Sequence, residues 1–242
     1  MGGGPWLLPV TSRHMATVPD GPWLRGRVTP PPPDIVRGIG MQGLETLPML
    51  PAARPLLDQA QALIAGTASL AAIIAAWVQD IHLLTSAPGY DVSHSEPRWP
   101  TRIFISVPER TDGVGALRLT ENVIHEAMHL QLTGVETGRP LVANPKQHLA
   151  SPWRAERRPV GGVLHGLFVF TCLSAFFAEA VARLDGDMRK HALGRIADIR
   201  VEIASIDMHE LFAGLTPYGV ALTRRFRSGV LDRGLLRGRI GP

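Results

Sequence analysis

Apolar positions recur with a helical period over much of the chain, and glycine and proline mark where each run stops. From Pro55 to about Thr85 the pattern is helical and alanine-rich, with Leu63, Ile64, Leu70, Ile73, Ile74 and Trp77 as its large members. Pro88-Gly89 breaks it. Residues 91–110 then hold a short β run, Arg102 to Val107, closed by Pro108. A helix is expected from about Gly115 to Thr133, stopped by Gly134 and Gly138-Arg139-Pro140. Residues 139–160, with Pro140, Asn144-Pro145 and Ser151-Pro152, read as a loop. After Gly161-Gly162 a helix opens that is apolar nearly all round from Val163 to about Leu184, the signature of a core helix. A further helix spans roughly Met188 to Phe212, and a shorter one follows Gly214. The fold class expected is mainly α (α+β): a single helical domain with a short β element beside one chemically distinctive helix.

At the ends the pattern fails. The first 34 residues carry Gly2-Gly3-Gly4-Pro5, Pro19-Asp20-Gly21-Pro22 and Pro30 to Pro33, with no periodic apolar face, so residues 1–34 are expected to form a flexible arm. Trp6-Leu7-Leu8 and Trp23-Leu24 could dock on the domain or a partner, but a loose arm is expected. Residues 35–230 make the folded domain, and 231–242 a basic tail. At 242 residues the chain is long enough for a substantial core.

Composition narrows the classes. Mean hydropathy is +0.09 and formal net charge is +4, with basic residues that are almost all arginine apart from Lys146 and Lys190. These arginines are dispersed with few aromatics among them, which argues against nucleic acid as a partner. The lone Cys172 allows no internal disulfide and fits a reducing compartment. No basic segment followed by an apolar stretch and a small-residue cleavage site opens the chain, so a cytoplasmic location is expected. Between Asp58 and Asp80 lie 21 uncharged residues, enough to span a bilayer. Gln59, Gln61, Thr67, Ser69 and Gln79 dilute that stretch, so a buried helix and no stable membrane insertion are expected.

The chemistry concentrates in Glu121-Asn122-Val123-Ile124-His125-Glu126-Ala127-Met128-His129, which contains His-Glu-x-x-His. On a helix His125 and His129 share a face and can reach one metal ion, while Glu126 sits beside them as a base or an orienting carboxylate. In a chain of this composition the pentad would arise by chance in roughly one shuffle in seventy. Two histidines need a third ligand and an open position. Leu132 and Val135 occupy the positions where a metzincin carries Gly and His, which excludes that subclass. Glu179 or Glu202 could supply a downstream carboxylate, and His165, at the mouth of the apolar helix, an imidazole. Arg154, Arg157 and Arg158 with Trp153 precede it, and arginine forks suit a carboxylate.

Three segments in order, SEPRWPTRIFISVPE, ENVIHEAMHLQLT and SPWRAERRPVGGVLHGLFVF, resemble the HExxH-motif family of peptide-modification proteins, over roughly residues 90–180. Members are described as iron- and 2-oxoglutarate-dependent β-hydroxylases of ribosomally made precursor peptides. The resemblance implies that His125, His129 and His165 hold Fe(II), leaving room for 2-oxoglutarate and O2, and that Arg154 or Arg158 grips the distal carboxylate. It implies a precursor peptide as partner and side-chain Cβ hydroxylation as the reaction. The bare pentad also suits a zinc metallopeptidase in which Glu126 acts as general base on a water molecule.

Overall fold

The computed structural model describes residues 18–40 and 42–236, with side chains as far as Ser228. Trp6-Leu7-Leu8 and the end of the basic tail lie outside the described residues. The protein is mainly α with short strands, as its periodicity indicates. Its contacts divide it into two compact units, one formed by residues 18–130 and 184–191, the other by 131–183 and 192–236.

The first unit contains α1 (Trp23–Gly26), α2 (Pro33–Gly40), β1 (Thr46–Leu47), α3 (Ala53–Ala65), α4 (Ala68–Trp77), β2 (Asp80–Leu84), β3 (Ser93–His94), β4 (Arg102–Ser106) and the amino-terminal part of α5 (Gly113–Gly138). Its sheet runs in the order β1-β2-β4-β3, with β2 and β4 parallel from Asp80↔Arg102 to Leu84↔Ser106. Ile81, Leu83, Leu84, Ile103, Phe104 and Ile105 are buried, and such largely apolar runs are what a strand covered on both faces requires. Strand β3 is a short edge, antiparallel to β4 through Ser93↔Ile105 and His94↔Phe104.

Several expectations are corrected here. The stretch from Pro55 to Thr85 is not one helix: it breaks at Gly66-Thr67, and its end is strand β2. A short apolar run has no period of its own that separates strand from buried helix. Helix α4 is only 10 residues long, so the 21-residue uncharged stretch forms no bilayer-length helix. Trp23 and Leu24 are buried, whereas a loose arm was expected. The Leu24 amide donates to Gln61 Oε1 at 2.8 Å and Arg25 pairs with Asp58, both on α3. Arg27 donates to the carbonyls of Ala75 (2.9 Å) and Val78, capping the end of α4, and burial lowers its pKa.

The second unit holds the rest of α5, the hairpin β5 (His148–Ser151) and β6 (Arg154–Pro159), α6 (Val160–Ala180), α7 (Gly186–Ala204) from Ala192 onward, α8 (Met208–Ala213) and α9 (Pro217–Leu236). Residues 139–160, expected as a loop, carry this antiparallel hairpin, with an irregularity between Leu149 and Ser151. The exposed, arginine-rich β6 has no alternating apolar face from which a strand could be read. The single helix expected over 188–212 is two helices. Asp207 breaks it by capping α8, accepting from the amides of His209 (2.9 Å) and Glu210 (3.0 Å). Helix α6, extended by a 3-10 turn to Arg183, is long and apolar enough to cross a membrane, but 78% of that window is buried within the protein. It is the core helix of its unit, as its all-round apolar pattern indicates.

In the first unit His82 lies buried on β2 against Phe104, its Nδ1 2.8 Å from the Thr29 carbonyl and its Nε2 without a hydrogen-bond partner. Burial lowers its pKa from the ordinary 6.5, against the opposing pull of the Thr29 hydrogen bond and Asp80. Between the two values the unfolded chain binds more protons than the folded one, so stability falls as pH drops below the ordinary histidine value. Thermal melts at pH 7.5 and 5.5 should show that loss, at about 1.4 kcal/mol per unit of pKa difference. His82→Gln, neutral at both pH values, should flatten the dependence; an unchanged slope would remove His82 as its source.

Candidate metal centre

Helix α5 is set by the turn before it. Asp112 accepts from the Gly115 amide at 3.0 Å, and its hydrogen bonds from Arg110 and Gly115 hold its carboxyl at about 2. Gly115 is required because a Cβ there would collide with the Arg110 carbonyl. From this start one face of α5 buries Val123, Ile124, Ala127 and Met128. Asn122, His125, Glu126 and His129 fall within an arc of about 100° around the helix axis.

The two motif histidines are brought together. Their Nε2 atoms are 3.2 Å apart and their rings meet edge to face, with centroids 4.8 Å apart. Two ligand nitrogens with bonds of about 2.1 Å meeting at tetrahedral or octahedral angles stand about 3.0–3.4 Å apart. The pair therefore fits two adjacent positions around one ion. Glu126 is buried, 3% exposed, with Oε1 3.9 Å from His125 Nε2 and Oε2 accepting a 2.6 Å hydrogen bond from the Ser95 hydroxyl. A buried carboxylate needs such a partner, because its desolvation is otherwise uncompensated.

The segment that delivers Ser95 is fastened on both sides. Asp91 pairs with Arg118 of α5 at 2.7 Å, and Val92 exchanges two hydrogen bonds with Ser106 of β4. Beyond it, Glu96 receives hydrogen bonds from Gln42, Arg98 and His94. Burial pushes the Glu96 carboxyl up, but these bonds outweigh it and hold it below the ordinary range. His94, expected as a loop histidine, is on edge strand β3, tilted over Phe104 and 3.1 Å from Glu96 Oε1.

His165 belongs to the second unit, on α6, with Nε2 3.0 Å from Glu136 Oε2. The tautomer with its proton on Nε2 lets His165 donate to the Glu136 carboxylate. Glu202, one of the carboxylates considered as third ligand, accepts from the Trp153 indole at 3.0 Å. Among the described residues no group of three or more His, Cys, Asp or Glu is disposed to hold a metal ion.

Arg154 and Arg158 lie on β6 of the same unit, and neither makes an ion pair among the described residues. Arg157 does, with Glu210 at 2.7 Å. Burial, and then the charge of Arg154, lower the Arg158 pKa. Its guanidinium lies over Gly162, where a Cβ would press against Nε, and His165 is one turn further along α6. Two cations without a carboxylate partner raise the local positive potential. Cys172 is buried within α6, which raises its pKa and leaves it an inert core thiol.

Sequence reasoning did not find Ser95, Asn122, Glu136 or the Arg118–Asp91 pair. Asn122 was findable: it precedes Glu126 by four residues, and its Nδ2 is buried without a hydrogen-bond partner. Compared with known proteins, the chain matches no family model and no curated protein.

The hairpin bearing the arginines is seated by Trp153, stacked on Phe170 with centroids 4.8 Å apart. The indole occupies the space a Cβ would take at Gly166. Gly166→Ala should therefore displace Trp153, break its bond to Glu202 and destabilise the protein by about 1–3 kcal/mol. A chemical-denaturation curve with tryptophan fluorescence checks this; an unshifted midpoint would show that the indole can move without cost.

Proposed function

We propose that the protein is an Fe(II)- and 2-oxoglutarate-dependent hydroxylase acting on a side-chain Cβ of a precursor peptide. The observation that carries the reading is the pair of Nε2 atoms 3.2 Å apart on α5 beside a buried carboxylate. Support for a dicarboxylate comes from Arg154 and Arg158, cations with no ion-pair partner among the described residues, and from the resemblance of three ordered segments to peptide hydroxylases.

His125 and His129 are the metal ligands in this proposal, and His165 is the third ligand that the family resemblance implies. The Glu136 hydrogen bond to His165 is the carboxylate–histidine arrangement that fixes the tautomer of a metal-binding imidazole. The bound iron supplies the one-electron chemistry that activates O2. Arg158, with Arg154, binds the distal carboxylate of 2-oxoglutarate through paired N–H donors. Glu126 accepts a hydrogen bond at the centre. Overall, 2-oxoglutarate, O2 and a C–H bond give succinate, CO2 and a C–OH bond, so the four electrons that reduce O2 come half from the co-substrate and half from the peptide.

Anaerobic addition of Fe(II) and 2-oxoglutarate should produce a weak visible charge-transfer band, lost in His125→Ala and His129→Ala. His165→Ala should abolish metal retention, and tight iron binding by that variant would remove the residue from the site. Arg158→Ala should raise the KM for 2-oxoglutarate about tenfold or more while iron is retained. The decisive measurement is intact mass of a precursor peptide incubated with Fe(II), 2-oxoglutarate and ascorbate: the reading requires the gain of one oxygen atom. The second reading, a zinc metallopeptidase, is favoured by the 3.9 Å separation of Glu126 Oε1 and His125 Nε2, which suits a general base. It requires peptide fragments instead, lost in Glu126→Gln.

A further inference from the structure

From the contacts of the buried carboxylate we infer that Ser95 is the positioning residue that keeps Glu126 out of the metal's own ligand set. The inference rests on the reading of His125 and His129 as metal ligands, and it holds for either reaction considered above.

A glutamate one residue from a ligand histidine has two possible employments. It can swing a carboxylate oxygen onto the ion, or it can stand beside the ion and accept a proton or hydrogen bond from whatever the ion binds. The side chain has three rotatable bonds, so the helix alone does not choose between them. Here the choice is made from outside the helix. The Ser95 hydroxyl donates to Oε2 at 2.6 Å, across 31 residues of sequence, while Oε1 stays 3.9 Å from His125 Nε2. Oxygen–hydroxyl contacts this short are those of a charge-assisted hydrogen bond. With Oε2 held, Glu126 has one free oxygen, and both cannot turn together toward an ion.

Ser95 can impose this because it cannot itself drift. The Asp91–Arg118 pair fixes the start of its segment to α5 two helical turns before Glu126. The Val92–Ser106 and His94–Phe104 pairings fix it to β4. Immediately after it, Glu96 is held by Gln42, Arg98 and His94. The hydroxyl is thus presented to the helix by an edge strand whose position is set by contacts on both flanks.

The test uses the full chain and Co(II), which reports coordination number through its visible absorption. Wild type should bind Co(II) through its histidines. In Ser95→Ala the freed carboxylate should join the ion: Co(II) affinity rises and the visible bands weaken as coordination number increases. Adding Ser95→Ala to Glu126→Gln should change neither affinity nor spectrum, because no carboxylate remains to be released. Ser95→Thr, which keeps the hydroxyl, should restore the wild-type spectrum. Turnover of whichever substrate proves active should fall about 10–100-fold in Ser95→Ala, with KM within about threefold. Should Ser95→Ala fail to fold, Ser95→Val, which also lacks the donor and offers no metal ligand, carries the same spectral readout. A wild type that takes up Co(II) beside a Ser95→Ala protein of identical affinity and spectrum would overturn the inference and leave the metal centre standing. A wild type that takes up no Co(II) would overturn both.

Discussion

The constraint from which the candidate site follows is the burial of one carboxylate. Glu126 is 3% exposed on a helix whose neighbouring face is aliphatic, and an ionised group in that position is tolerated only if it is hydrogen-bonded. Ser95 meets that requirement, and in doing so it ties the motif helix α5 to the edge of the mixed sheet. The consequences run in both directions. The sheet edge has to be fastened to α5 through Asp91 and Arg118 so that the hydroxyl arrives at hydrogen-bonding distance. The helix, in turn, must start at Asp112 so that residue 126 faces that edge and His125 and His129 flank it.

The second unit is organised by the apolar helix α6 and what it must carry. At its amino-terminal end His165 lies against Glu136, and Arg158 of β6 is laid across Gly162. Two close approaches to this helix depend on missing side chains. Gly162 leaves room for a guanidinium and Gly166 for an indole, four residues apart on one face of the helix. Trp153 then links the hairpin to Phe170 and Glu202 at once. The arginines of β6 are held on a strand rather than a free loop, which limits their freedom and lowers the entropic cost of gripping an anion.

Helix identity was largely legible from periodicity. The long helices α5 and α6 lie where their apolar spacing puts them, and the pentad face follows from the i,i+4 rule without further information. Among the short elements, β4 lies where the β run from Arg102 was read, but others were not legible. Strand β2 hides at the end of an alanine-rich helical stretch, and β6 is so polar that it reads as a turn. Trp23 and Leu24 looked like part of a loose arm because proline and glycine surround them. Their burial depends on Gln61 and Asp58, more than thirty residues away.

The sequence by itself determined the mainly helical class, the shared face of His125, Glu126 and His129, and the core role of α6, because each depends on spacing within one element. Only the tertiary structure decided that Ser95 meets Glu126, that Glu136 holds His165, that Glu202 serves Trp153, and that Arg157 is paired while Arg154 and Arg158 are not. Those contacts join residues far apart in the chain. Their partners are set by which surfaces fold against each other, and a local pattern carries no record of that.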